Sequence, residues 1–224
     1  MVHAPGVTTA AVAEHAIMLM LAAARRLVDV NQAVKAGNWA VREGFVGVEM
    51  AGKRLGVVGY GGIGKRVGEF GTALGMDVVF ATRRDGAPVT TVAFDELVAT
   101  SDVIQICVPL TDETRAMFGA DQLAAMKPSA LLVNTARGPI VDHQALAAPL
   151  DERRLGGYAA DVWDPEPPDK DDSALRHART LITPHVAGLT DRSYRKICVG
   201  PSGAVAAILS GEAPDPYWVY QPPQ

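Results

Sequence analysis

Six short apolar runs, separated by segments of helical length, constrain the fold of this chain more than any other feature. They lie between Lys53 and Gly188 and read RLGVVG, MDVVFAT, DVIQICVP, ALLVNTA, GGYAADVW and TLITPH. Most are aliphatic or β-branched at successive positions, which is typical of strands covered by helices on both faces. Because strands that alternate with helices pair in parallel, the sequence predicts an α/β fold with a Rossmann-type, doubly wound parallel sheet.

Helical segments flank this region on both sides. From Thr8 to about Val34, apolar residues recur at helical spacing over much of the circumference, which predicts one long helix that another surface must cover. A second helix is predicted from Asp191 to Ser210. Pro201 should kink or split it, because proline lacks a backbone donor and its ring collides with the preceding turn. The tail after this helix is predicted to be extended.

Composition excludes several classes of protein. The 224 residues carry a formal net charge of -4, which offers no basic surface for nucleic acid or an anionic membrane. The apolar run AIMLMLAAA is too short to span a bilayer. Cys107 and Cys198 lie far apart in apolar stretches, which predicts two buried thiols in a reducing compartment. We expect a cytoplasmic protein with no metal site.

A G-x-G-x-x-G motif follows the first predicted strand and precedes a helical pattern. Gly59 would allow a tight turn, Gly61 would let the backbone approach a pyrophosphate, and Gly64 would let the helix lie close to the strand. The N-terminus of that helix would supply donors and partial positive charge to the phosphates. The alternative is a tight turn that binds nothing, but the strand before and the helix after favour dinucleotide binding.

The end of the second predicted strand bears on which dinucleotide is bound. An NAD-selective site places an acid there to accept hydrogen bonds from the ribose hydroxyls, whereas this strand ends at Thr82, Arg83 and Arg84. A hydroxyl and two guanidinium groups suit a 2′-phosphate, so NADP is favoured over NAD. Two alternatives stay open: the arginines are solvated surface residues, or Asp85 supplies the acid after a shifted turn.

Polar residues directly follow three of the later strands. They are Arg137, Asp161 and His185, and Glu166 lies in the loop beyond Trp163. A lone histidine at such a position is more often structural. Three strand ends that open towards the edge with the glycine turn nevertheless indicate a site there. The other histidines are interpreted as surface or packing residues: His3, His15, His143 and His177.

An arginine, a glutamate and a histidine suffice for the reduction of a 2-oxo acid by a nicotinamide. An imidazolium such as that of His185 can protonate the ketone oxygen as hydride arrives. A carboxylate such as Glu166 favours the charged imidazole and orients its ring. The guanidinium of Arg137 can hold a substrate carboxylate through two parallel hydrogen bonds, which a lysine cannot do.

Five motifs carry a resemblance to a known family. GVVGYGGIGKRVG, VPLTDETR, LLVNTARGPIVD, AADVWDPEP and TPHVAG occur in the order and approximate spacing of the D-isomer-specific 2-hydroxyacid dehydrogenases. The resemblance implies that Arg137 binds substrate, that His185 is the acid and base, and that Glu166 is its carboxylate partner. It also implies that Asp161 contacts the nicotinamide end of the cofactor. Further implied cofactor contacts are Gly62, Ile63, Val108, Pro109, Thr114, Thr135, Ala136 and Gly188.

The resemblance also narrows the substrate. Formate dehydrogenases of this superfamily carry glutamine where Glu166 stands, so formate is disfavoured. The arginines after the second strand resemble those of NADPH-using glyoxylate and hydroxypyruvate reductases, which implies an oxidoreductase that acts on the CH–OH group of a 2-hydroxy acid. The alternative is a dinucleotide-binding scaffold similar to the family's corepressor members. The intact Arg137, Glu166 and His185 count against it.

The resemblance further implies a domain organisation. Residues 1–50 would form a connecting and dimerisation helix with its linker, residues 51–190 the NAD(P)-binding domain, and residues 191–224 a C-terminal helix and tail left from the substrate domain. Members of the family carry a further substrate domain ahead of the segment HAPGVTTAAVAEHA. We therefore expect a homodimer that binds NADP(H) but turns over 2-oxo acids poorly by itself, since a cleft with one wall admits water.

Overall fold

The six predicted strands form one sheet in which each neighbouring pair is parallel. A computed structural model describes residues 1–84 and 86–220 of the chain. The strands lie in the order β2-β1-β3-β4-β5-β6, so the predicted doubly wound parallel sheet is confirmed. Their bounds are β1 Arg54–Val58, β2 Asp77–Ala81, β3 Val103–Ile106, β4 Leu131–Asn134, β5 Gly157–Ala160 and β6 Thr180–Ile182.

Helices cover both faces of this sheet. Leu132 of β4 packs in the apolar cluster beneath the helices at Phe94–Thr100, Ala120–Ala125 and His143–Asp151. Its neighbour Val133 packs in the cluster beneath the helices at Thr9–Ala24 and Gly62–Ala73. This explains why the strands are apolar at successive positions. The helices are α1 Thr9–Ala24, α2 Leu27–Lys35, α3 Gly62–Ala73, α4 Phe94–Thr100, α5 Ala120–Ala125, α6 His143–Asp151, α7 Ser173–Arg176 and α8 Asp191–Leu209, with short 3-10 helices at Trp39–Gly44, Gly138–Ile140 and Pro216–Trp218.

The strand order reverses at β1, whose two neighbours are β2 and β3. The connections that leave β1 and β3 therefore run to opposite faces of the sheet. They leave a crevice beyond the carboxyl ends of these strands, where open α/β sheets bind their ligands. The glycine motif lies at the end of β1, and the polar residues singled out in the sequence follow β4, β5 and β6.

The single N-terminal helix expected over 8–34 is two helices. Arg26 adopts a left-handed conformation with φ of +46° and separates α1 from α2. The buried residues of α1 pack on the sheet and on α3, whereas no residue of α2 is buried. The spacing of apolar residues could not show this break, because α2 begins at Leu27, directly after Arg26. The boundary proposed at residue 50 stays a prediction.

Helix α8 runs unbroken through Pro201, so the expected split does not occur between Asp191 and Leu209. The proline removes the helical donor to the carbonyl of Ile197, and the helix continues without that hydrogen bond. Trp218 packs directly on Gly200, the residue before the proline. The tail is accordingly more structured than predicted: it forms a 3-10 helix at Pro216–Trp218.

The two cysteines differ in their surroundings. Burial raises the pKa of the Cys107 thiol to about 12, and this residue follows β3 directly. Cys198 lies exposed on α8, so the prediction that both thiols are buried is wrong for Cys198. Its apolar neighbours Ile197 and Val199 are exposed as well, so the apolar stretch of sequence does not mean burial there.

Candidate functional site

The glycine turn between β1 and α3 has the shape that a phosphate cradle needs. Gly59 has φ of +104°, and a Cβ there would lie 2.6 Å from the carbonyl oxygen of Cys107. A Cβ on Gly64 would collide with the carbonyl oxygen of Gly59, so the helix approaches the turn only because both are glycines. A Cβ on Gly61 would meet no described atom within 4 Å. The backbone at Gly61 is thus open to a ligand, and α3 begins at the next residue.

A cleft of about 700 Å³ lies beyond the carboxyl ends of the strands. Helix α1 contributes Val12 to its wall, and α8 contributes Ile197. Neither residue was predicted to belong to the site, because apolar helix residues carry no chemical signal in a sequence. The predicted site residues that line the cleft are Ile63, Val108, Pro109, Thr135, Ala136, Arg137, Asp161, His185 and Gly188.

His185 and Glu166 form a hydrogen-bonded pair at this cleft. The Nδ1 atom of His185 lies 2.7 Å from Oε2 of Glu166, and Oε1 of Glu166 accepts the backbone N–H of Trp163 at 3.1 Å. About half of the His185 side chain is exposed (49%). Because Glu166 engages Nδ1, the Nε2 atom is the ring position left for a ligand.

The charge state of Glu166 follows from these contacts. Burial acts to raise the pKa of its carboxyl. Hydrogen bonds from His185 and from the Trp163 N–H, together with the positive charges of His185 and Arg137, outweigh burial and hold the pKa below its ordinary value. Glu166 is therefore ionised at neutral pH and serves His185 as a charged partner.

Arg137 lies on the turn that leaves β4. Its side chain is exposed at the cleft, and its guanidinium donates to the carbonyl of Ala136 at 2.5 Å. The buried Asn134 shapes this turn: its amide donates to the Arg137 carbonyl at 2.9 Å, and its side-chain oxygen accepts from the Ala136 N–H at 3.0 Å. Sequence reasoning missed Asn134. The signal was a polar residue at the end of an otherwise apolar run, LLVN.

Asp161 holds the segment that carries His185. Its carboxylate is 1% exposed and accepts the backbone N–H groups of Val186 at 2.9 Å and Ala187 at 2.7 Å. Its backbone carbonyl accepts the His185 N–H at 2.8 Å. His185 itself has φ of +56°, which non-glycine residues adopt rarely and at a cost. Surrounding bonds therefore impose this conformation. The predicted contact of Asp161 with a cofactor stays a prediction.

His143 and His15 were both interpreted as surface or packing residues, and they have different surroundings in the structure. His143 is buried and stacks on Trp163 with ring centroids 4.1 Å apart, so it is a packing residue as predicted. His15 on α1 instead lies 2.8 Å from the hydroxyl of Thr183 and 3.5 Å from Asp161. His15 is therefore a largely buried residue with polar contacts that the sequence interpretation did not foresee. Its position in the chain is too far from the site for the sequence to have indicated it.

The tip of β2 lies apart from the lined part of the cleft. The Thr82 hydroxyl accepts the N–H of Arg84 at 3.1 Å, and Arg83 pairs with Glu113 at 3.0 Å. Both partners of that ion pair are largely exposed. Sequence reasoning did not include Glu113. Asp85, the alternative source of an acid here, lies outside the described residues.

Thr114 does not belong to the described lining of the cleft. Its buried hydroxyl donates to the carbonyl of Pro109 at 2.7 Å and accepts the Thr111 N–H at 2.8 Å. It therefore shapes the turn that follows β3, on which the cleft residues Val108 and Pro109 lie. The predicted direct contact of Thr114 with a cofactor is not tested by this geometry.

Two searches of the described residues were negative. No cluster of three or more His, Cys, Asp or Glu side chains in residues 1–84 and 86–220 has the arrangement of a metal site. No helix of that same part of the chain combines the length and the apolarity needed to cross a membrane.

Comparison with known proteins decides the family. The profile of the D-isomer specific 2-hydroxyacid dehydrogenase NAD binding domain matches residues 17–187. This chain belongs to that family. The resemblance read from the five sequence motifs is thereby confirmed.

Relatives within the D-isomer specific 2-hydroxyacid dehydrogenase family are similar over most of this chain. D-3-phosphoglycerate dehydrogenase of Archaeoglobus fulgidus is 42% identical over 84% of the chain, and glyoxylate reductase of Aeropyrum pernix is 36% identical over 94%. The chain spans 37% of the first relative and 66% of the second. D-lactate dehydrogenase from Aquifex aeolicus, solved with NAD and lactic acid, has a TM-score of 0.83 at 31% identity, with 94% of this chain and 69% of that one covered.

Proposed function

We propose that this chain binds NADP(H) in preference to NAD(H) and transfers hydride between it and a 2-oxo or 2-hydroxy acid of the glyoxylate or hydroxypyruvate type. The observation that carries the proposal is the His185–Glu166 pair at a cleft that Arg137 also lines. Similarity to glyoxylate reductase supports the substrate class. Because the chain spans only part of its curated relatives, its activity remains a proposal.

The cleft fits a nicotinamide dinucleotide. Open space at Gly61 and the start of α3 at Gly62 suit a pyrophosphate, which the backbone N–H groups of Gly62 and Ile63 would hold. The bound cofactor supplies or accepts hydride at its nicotinamide ring. Residues that would surround that ring are Val108, Pro109, Thr135, Ala136, Asp161 and Gly188.

His185 has the position of the general acid. When a 2-oxo acid is reduced, Nε2 of the imidazolium gives its proton to the carbonyl oxygen, and in the reverse direction it takes the proton back. Glu166 accepts from Nδ1, which orients the ring and leaves Nε2 for the substrate. The fixed conformation at His185 orients the ring before substrate arrives.

Arg137 has the position of the substrate clamp. Its exposed guanidinium at the cleft can donate two parallel hydrogen bonds to a substrate carboxylate. The Asn134 bonds fix the backbone on both sides of Ala136 and so place the arginine. A lysine would bring one charge but not the two-point geometry. Arg137→Lys should therefore weaken substrate use more than its unchanged charge suggests.

The preference for NADP rests on Thr82, Arg83 and Arg84. A 2′-phosphate carries more charge than the Glu113 carboxylate that now pairs with Arg83, so it can draw the exposed guanidinium away. The test is to titrate the protein with NADPH and with NADH in parallel and to measure binding by fluorescence. NADPH should bind at least about tenfold more tightly, which corresponds to one added charge-assisted contact.

Arginine variants separate this preference from general charge effects. Arg83→Ala and Arg84→Ala should lower the affinity for NADPH and leave the affinity for NADH unchanged. Arg154→Ala is the matched control, since Arg154 is an exposed arginine paired with Glu152 beyond the end of α6. The NADP assignment would be refuted if the chain bound NADH more tightly than NADPH. It would also be refuted if Arg154→Ala lost as much NADPH affinity as the Arg83 and Arg84 variants.

Turnover is tested with glyoxylate and hydroxypyruvate in the presence of stoichiometric NADPH, because single-turnover conditions detect slow chemistry. His185→Ala should lower the rate by about 100-fold or more, the usual contribution of a positioned acid. Arg137→Lys should also lower the rate, because a lysine cannot hold the substrate carboxylate through two parallel hydrogen bonds. Their NADPH affinities should stay close to the parent value. Cofactor binding without any turnover would fit both the scaffold alternative and a cleft that needs its second wall, and a pull-down for a bound partner would then separate the two.

A further inference from the structure

A histidine far from the site in sequence reaches the segment that carries His185. His15 lies on α1, and its Nε2 atom is 2.8 Å from the hydroxyl of Thr183. The same hydroxyl is 2.5 Å from Oδ1 of Asp161, which also lies 3.5 Å from His15 Nε2. The His15 side chain is 14% exposed and that of Asp161 1%, so water competes little with these bonds.

The directions of these hydrogen bonds follow from the atoms available. The Thr183 hydroxyl donates to Oδ1 of Asp161, and this bond uses its single proton. The Thr183 oxygen can then only accept from His15. Nε2 of His15 must therefore carry a proton, which gives one chain of donors: His15 Nε2–H to Thr183, and Thr183 O–H to Asp161.

We propose that His15 is a positioning residue for His185. The inference rests on the proposed function, since the position of His185 matters to chemistry only if His185 is the acid. His15 fixes the hydroxyl of Thr183 towards Asp161, and the Asp161 carboxylate fixes the N–H groups of Val186 and Ala187. These bonds anchor the chain on both sides of His185.

The strain at His185 explains why such anchoring is needed. A left-handed histidine relaxes unless its neighbours hold it, and the holding groups here come from α1, from the end of β5 and from the end of β6. Without His15, the Thr183 hydroxyl is free to rotate away from Asp161. The carboxylate would then lose one of its bonds while remaining buried.

Ring NMR tests the donor directly. In the full chain at neutral pH, ¹⁵N shifts of the His15 ring should show a proton on Nε2. An unprotonated Nε2, with the proton on Nδ1 alone, would overturn the proposal. His177, whose ring makes no bond to Thr183 or Asp161, provides the comparison within the same spectrum.

Amide exchange tests the anchoring. In His15→Phe, which fills space without a donor, and in Thr183→Val, exchange at Val186 and Ala187 should be about tenfold faster. His15→Gln keeps a donor at a similar reach and should restore the slow rate. Thr72→Val is the matched control, because the Thr72 hydroxyl bonds only to the Gly68 carbonyl of its own helix.

A signal from His185 itself separates positioning from packing. In Glu166→Gln the ring resonances of His185 define the shift caused by loss of its carboxylate partner. His15→Phe should move them in the same direction, and His15→Gln should not. Unchanged exchange and unchanged His185 resonances in His15→Phe would refute the proposal. If that variant fails to fold, Thr183→Val and His15→Gln decide the question.

None of these measurements uses substrate turnover. Absence of dehydrogenase activity would defeat the proposed function and leave the anchoring result standing. If the parent chain is an active dehydrogenase but amide exchange at Val186 and Ala187 is unaltered in every His15 and Thr183 variant, only the positioning role of His15 is refuted.

Discussion

The two loops that carry Arg137 and Glu166 approach each other closely at Gly138. This glycine starts the short helix after Arg137, and a Cβ built on it would collide with the carbonyl group of Trp163 and lie 2.8 Å from the Asp164 nitrogen. All of these neighbours are backbone atoms, which cannot rotate out of the way. We therefore predict that Gly138→Ala separates the two loops and moves Arg137 away from Glu166.

The loss of stability expected for Gly138→Ala follows from the kind of atoms that collide. Overpacking by one methyl costs about 1–3 kcal/mol where side chains can adjust, and here the backbone itself must move, so we expect about 3 kcal/mol or more. For a chain of this length each kcal/mol lowers the Tm by about 2–4 °C, so the loss corresponds to about 10 °C. NADPH binding at the glycine turn should be affected less than turnover.

The assay is urea and thermal unfolding of Gly138→Ala beside Gly203→Ala. Gly203 lies inside α8, and a Cβ there meets no described atom within 4 Å. The control should therefore be more stable than the parent by up to about 1 kcal/mol, since alanine restricts the unfolded chain and favours the helix. If Gly138→Ala is as stable as the parent, the close approach is not a constraint and the reasoning fails.

Two further predictions concern titratable groups. Because the native pKa of Glu166 is lowered, its ionisation stabilises the fold above the ordinary glutamate pKa of about 4.3, and that contribution disappears as the pH falls through the native value. The difference in unfolding free energy between the parent and Glu166→Gln should accordingly shrink as the pH falls from about 5 towards 3, where Glu166 is protonated; growth of that difference over this range would contradict the assignment. The thiols should react unequally with a disulfide reagent at pH 8, Cys198 quickly and Cys107 far more slowly, because burial raises the pKa of Cys107 to about 12. Equal rates in the native chain, with Cys198→Ser as the control, would show that Cys107 is accessible.

The sequence by itself determined the sheet and the outline of the site. Each of the six strands is a run whose successive apolar residues need cover on both faces, and such a pattern is local. The glycine turn could be predicted because its three glycines have different steric tasks within six residues. Arg137, Asp161 and His185 could be placed at one edge because parallel strands end on the same side.

Only the tertiary structure decided which side chains hold these groups in place. His15 contacts Thr183 because α1 packs across the ends of β5 and β6, and Glu113 meets Arg83 because two loops of distant sequence converge. Arg26 ends α1 with a single left-handed residue that leaves the apolar period unchanged. Such contacts depend on how the elements are placed relative to one another, which residue type and spacing did not indicate for His15 and Thr183, 168 positions apart.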